Sequence, residues 1–241
     1  PEVMPVAQPY SPSAEQRRLQ YVLLSDVHLT EVAPSATVDW WSYKRPDASQ
    51  DATLNDFMAH LHAQRPRAYE GTVLIFNGDT FDFDSVFTHP ESDGPQPQGL
   101  PATEPWSVFK MRRLLADHAA FVSGLARFLA RGNQVVFVMG NHDRELAFES
   151  VQAVLLGALV AQSPAGAGAR VASAVHFEPW FTYVPGVFYA EHGQQYDART
   201  RKTGGGVVLF RSKQPNGHVL DGRHHQIALQ DRGVKHKQEC R

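Results

Sequence analysis

Three short apolar runs, each breaking off into acidic, amide and imidazole residues, constrain this chain more than any other feature of its 241 residues. Tyr21-Val22-Leu23-Leu24-Ser25 ends in Asp26-Val27-His28. Thr72-Val73-Leu74-Ile75-Phe76 ends in Asn77-Gly78-Asp79, and Gln134-Val135-Val136-Phe137-Val138-Met139 ends in Gly140-Asn141-His142-Asp143. Runs apolar at consecutive positions suit buried strands, because half-buried strands alternate. Between the first two runs, Leu54, Phe57, Met58 and Leu61 fall at helical spacing. They predict a helix from about Asp51 to Gln64, with Ser49 placed to cap it and Pro66 beyond its end. Residues 84–105 carry Pro90, Pro95, Pro97, Pro101 and Pro105 and predict an irregular loop. One long helix from roughly Pro105 to Ala130 follows, with Val108, Met111, Leu115, Val122, Leu125 and Leu129 on its apolar face. Gly132 suits its C-terminal end. Another helix is expected from about Glu145 to Gln162. This alternation is that of an α/β fold. The residues from Val175 to Glu191 change character, and two aromatic-rich segments flanking Pro185-Gly186 predict a hairpin that ends in His192-Gly193.

Open α/β sheets place their sites beyond the C-terminal ends of the strands. The polar residues that follow the three runs therefore converge, although they are far apart in the chain. Carboxylate, imidazole and amide oxygen form a ligand set suited to Mn, Fe or Zn, and a shared carboxylate lets such a set hold two ions. A net charge of −2 gives no global basic field for nucleic acid. The lone cysteine, Cys240, excludes an internal disulfide framework and a multi-cysteine zinc site. The most apolar stretch, residues 151–161, is too short to span a bilayer.

Asp26-x-His28, Gly78-Asp79-x-x-Asp82, Gly140-Asn141-His142-Asp143 and His192-Gly193, in that order, resemble the blocks of the calcineurin-like metallophosphoesterase superfamily. Gly78-Asp79-Thr80-Phe81-Asp82-Phe83 and the hairpin before His192 resemble its branch of UDP-2,3-diacylglucosamine pyrophosphatases. That branch often has Arg where this chain has His142. Protein Ser/Thr phosphatases are less similar, because they follow the second aspartate with Arg-Gly. The resemblance implies a β-sandwich flanked by helices, its second sheet incomplete here. It implies hydrolysis of a phosphate ester or pyrophosphate bond in a small phosphorylated substrate by a hydroxide that bridges two divalent metal ions. Asp26 and His28 would hold the first metal, Asp79 both, and Asn141 and His192 the second. His142 would act at the leaving oxygen, with Asp143 orienting it and Asp82 orienting a ligand from behind. Trp41, Lys44 and Arg45, with Trp40 and Tyr43, are candidates to grip substrate, or else to pack their loop on the body. A cytoplasmic enzyme is expected, at most peripheral to a membrane.

One expected block is missing. The superfamily ends its site with Gly-His-x-His, and here the later candidates are His218 and the adjacent His224 and His225. Neighbours on a strand point to opposite faces, so the latter pair does not reproduce an i, i+2 pair. Residues 198–241 hold ten Lys or Arg against three Asp or Glu, a balance of +7, with no sustained periodicity. We therefore divide the chain into a lead-in over 1–15, a catalytic domain over 16–197 and a basic tail over 198–241. Truncation or a shifted reading frame is one explanation of that tail. An inactive domain lacking the terminal histidines is the alternative functional reading. His60 and His62 are read as surface residues, His118 as a helix-side residue and His176 as structural.

Overall fold

The computed structural model describes residues 10, 18–32, 44–45, 49–90 and 99–196, all within the first of two compact units, Pro1–Thr200. Strands β1 (Leu19–Leu24), β2 (Gly71–Asn77), β3 (Gln134–Val138) and β4 (Val175–Glu178) form a parallel sheet in sequence order. Helical crossovers make this order possible: α1 (Asp51–Ala63) links β1 to β2, α2 (Glu104–Asp117) and α3 (Ala119–Ala130) link β2 to β3, and α4 (Glu149–Ala161) and α5 (Gly168–Ser173) link β3 to β4. A second, antiparallel sheet pairs β5 (Phe181–Val184) with β6 (Phe188–Glu191).

The central strands are covered on both faces, as their unbroken apolar runs predict. Val73, Ile75, Val136 and Val138 face Val184 of β5 and Tyr10, with Phe188 of β6 against the same cluster. On the opposite face Phe76 stacks on Phe137 at 5.2 Å between ring centroids and meets Phe121 of α3 edge-on at 6.0 Å. Period-2 alternation thus sends odd residues of β2 to the second sheet and even ones to the helices. Among the described residues β1 is an edge strand, half-exposed rather than buried, and Leu23 is left open to solvent.

Two sequence expectations change. The long helix breaks at His118, which leaves helical geometry at φ −113° and ψ 37°. Its ring turns inward and bridges Asp51 Oδ1 and the Thr30 carbonyl, both at 2.7 Å. Asp51 Oδ2 then accepts from the Phe121 amide at 3.2 Å, which satisfies an orphan donor at the start of α3. His118 is therefore a buried scaffold residue rather than a helix-side one. The expected hairpin also divides: the chain corners at Pro179-Trp180, so β4 joins the parallel sheet and only β5 and β6 form the hairpin. Among the described residues no helix is long and apolar enough to cross a membrane.

Candidate metal centre

Parallel pairing brings the ends of β1, β2 and β3 to one edge of the sheet. Beyond it the first two loops run side by side. Asp26 N donates to Gly78 O at 3.2 Å, His28 N to Asp79 O at 2.9 Å and Leu29 N to Thr80 O at 2.9 Å. Asp26, His28 and Asp79 adopt left-handed backbone, with φ of 57°, 51° and 52°, and they are the non-glycine residues at positive φ among those described. Such conformations are strained for residues with a Cβ and gather at functional sites. Two glycines make room. A Cβ at Gly78 would overlap the His192 ring, and one at Gly140 would overlap the Asp79 carboxylate and amide.

Asp79 is the hub. Its Oδ1 accepts from the His142 amide at 2.9 Å, while its Oδ2 lies 3.2 Å from His192 Nε2 and 3.7 Å from His28 Nε2. Two triplets of donor atoms form around it, each within 4.8 Å: Asp26, Asp79 and His192, and His28, Asp79 and His142. Asp26 and His28, which the sequence groups on one ion, lie 3.9 Å apart from Asp26 Oδ1 to His28 Nε2, with His192 beside the first and His142 beside the second. His192 comes from the turn after β6, and its Nδ1 lies 3.0 Å from Asn77 O. That bond fixes the tautomer and leaves Nε2 for Asp79 or an ion. Asn141 is half-buried in the loop after β3, and its main-chain carbonyl accepts from Arg144 Nη1 at 2.7 Å.

The charges respond to this crowding. Burial alone would raise the Asp79 carboxyl, but the His192 bond and the His142 amide outweigh it and hold it below the ordinary value. The His192 imidazole, bonded to Asp79, is pushed up to about 9 despite its burial. Nitrogen and oxygen donors converging on one shared, mostly buried carboxylate fit a pair of borderline divalent ions.

The aspartates Asp82 and Asp143 differ in their contacts. Asp82 Oδ1 lies 3.2 Å from His142 Nδ1, and Asp82 is itself held by Ser85 Oγ at 2.6 Å and Ser85 N at 3.1 Å. The bond to Asp82 raises the His142 imidazole above its ordinary value. Asp143, which the sequence suggests for that orienting part, is fully buried and accepts instead from four amides: Gly140, Asp79, Thr80 and Phe81 at 2.6–3.4 Å. It ties the second and third loops together, and burial pushes its carboxyl up to about 6 against the pull of those amides.

Of the substrate-gripping candidates, Trp41 lies outside the described residues and Arg45 is exposed. Lys44 is 2% exposed, bonded to Ser85 O, 3.6 Å from Glu31 Oε2 and over the Phe87 ring at 4.0 Å. It anchors the turn that carries Asp82 and has no free head for substrate. Glu31, which the sequence does not single out, also accepts from the Phe87 and Thr88 amides. His218, His224 and His225 lie outside the described residues.

Neither the curated proteins nor the solved structures contain a match to this chain. The family description "Calcineurin-like phosphoesterase" matches residues 19–237, which takes in all four motif blocks and most of the basic tail. The chain belongs to the calcineurin-like phosphoesterase family, a family of metal-dependent enzymes that act on phosphorylated substrates.

Proposed function

We propose that the protein hydrolyses a phosphate ester or pyrophosphate bond in a small phosphorylated substrate. The observation that carries this reading is the pair of donor triplets sharing Asp79. Asp26, His28, Asp79, Asn141 and His192 would hold two divalent ions, manganese among the candidates. When bound, such ions supply Lewis acidity toward phosphoryl oxygens and a nucleophile at neutral pH.

The side chains divide the remaining work. The His142 amide holds Asp79 Oδ1, so Oδ2 faces the imidazoles. The His142 ring, held at Nδ1 by Asp82, presents Nε2 as the proton donor to the leaving oxygen. Asp143 keeps the loops in register from below. The Gly78–Phe83 block supports the narrower likeness to UDP-2,3-diacylglucosamine pyrophosphatases, and His142 in place of their Arg argues against that particular substrate. We assign catalysis to residues 16–197, read 198–241 as a basic tail, and take the enzyme to be cytoplasmic or peripheral to a membrane.

Asp79→Asn tests the assignment. The variant is expected to lose hydrolysis of both p-nitrophenyl phosphate and its bis-ester and to retain less metal. Unchanged turnover with full metal would overturn the role of Asp79.

A further inference from the structure

Arg144 has no part in the mechanism above, yet it directly follows Asn141-His142-Asp143. Its Nη1 donates to the Asn141 carbonyl at 2.7 Å, and its Nη2 pairs with Asp84 Oδ1 at 3.2 Å. Asp84 Oδ2 lies 3.9 Å from His142 Nδ1. Guanidinium, carboxylate and imidazole thus stand in sequence at the edge of the cluster.

Anchoring the turn does not explain this charge. The neighbouring residues already do that: Asp143 through four amides, and Glu145 through Lys110 Nζ at 3.5 Å, with both side chains 1% exposed. The Arg144–Asp84 pair is different. Its side chains are 26% and 45% exposed, so solvent screens the pair and its rupture costs little. A guanidinium carries five N–H donors and prefers planar, bidentate oxyanions. Asp26, Asp79, Asp82 and Asp84 line the same region and repel an anionic substrate, which a cation at position 144 offsets.

We infer that Arg144 binds a second phosphate group of the substrate, displacing Asp84, and so selects diphosphates over simple monoesters. This rests on the hydrolase reading above and names the substrate class of that site. The Asn141 bond holds the guanidinium in place, and the exchangeable Asp84 contact keeps its outer edge occupied until a phosphate arrives.

The test uses the full chain with Mn²⁺, as wild type, R144Q and R144K. Inorganic pyrophosphate and p-nitrophenyl phosphate are compared as substrates, and methylenediphosphonate and methylphosphonate are titrated by calorimetry. The ratio of kcat/KM for pyrophosphate over the monoester is expected to fall about tenfold or more in R144Q and less in R144K. The preference for diphosphonate over methylphosphonate is expected to fall in parallel. An unchanged ratio, in either variant that folds, overturns the inference. Absence of turnover in the wild type, with an Arg144-dependent diphosphonate preference, supports the inference and overturns the hydrolase reading. A wild type with no diphosphonate preference overturns the inference whatever its turnover.

Discussion

Two histidine–aspartate pairs sit in different regions of the molecule. In the scaffold His118 places Nδ1 2.7 Å from Asp51 and Nε2 2.7 Å from the Thr30 carbonyl, with its side chain 5% exposed. At the cluster His142 places Nδ1 3.2 Å from Asp82, with its side chain 35% exposed. Its Nε2 makes no hydrogen bond among the described residues. The pairs share a chemistry and differ in how many ring nitrogens are committed. An imidazole with both nitrogens bonded joins three segments and has no nitrogen free to face a substrate. An imidazole with one nitrogen bonded is oriented and still able to give a proton.

His142→Ala should separate them most. It is expected to lower kcat by about 10²–10⁴-fold while metal content holds, as removal of a general acid does. Loss of metal instead would make His142 a ligand beside His28 and Asp79. His118→Ala should do the reverse. It leaves a buried carboxylate unpaired and is expected to reduce unfolding free energy by about 3 kcal/mol in urea titrations. A catalytic loss larger than the stability loss would erase the distinction. Asp82→Asn is milder: a weaker hold on His142 should reduce kcat about 10- to 100-fold, with KM changing less. Equal effects on metal content and kcat would show that Asp82 acts on the ions instead.

The smallest effect is in pH. Burial alone would lower the His118 imidazole, but its bonds to Asp51 and Thr30 raise it above the ordinary 6.5. Burial alone would raise the Asp51 carboxyl, but His118 and the Phe121 amide lower it below 3.8. The histidine therefore contributes stability below pH 6.5 that fades as pH rises through its raised value. The aspartate contributes stability above pH 3.8 that fades as pH falls through its lowered value. Urea midpoints compared between wild type and Asp51→Asn should differ most between those limits and converge outside them. A constant difference across the range would deny that the pair is ionised.

The sheet was readable because consecutive apolar residues leave few alternatives to a strand covered on both faces, and β2 and β3 are such strands. Convergence of the loops followed from parallel order. The break at His118 was less readable, although a signal existed: the apolar face of the long helix skips from Leu115 to Val122. Periodicity records where apolar residues fall and says nothing of a buried polar residue that prefers partners in α1 and the loop after β1. Lys44 misled for a related reason, since a lysine in a polar, aromatic segment reads as exposed until Glu31 and Phe87 close over it. The division between Asp82 and Asp143 depends on which carboxylate the loop amides reach, and spacing alone does not contain that.

The proposed hydrolysis depends on Asp79 joining two cation sites. Elemental analysis of purified wild-type and Asp79→Asn protein, after equilibration with Mn²⁺ and gel filtration, tests this directly. About two divalent ions per wild-type chain, with a clear fall in the variant, is the predicted result. Fewer than one ion in the wild type, or the same content in both proteins, would contradict it.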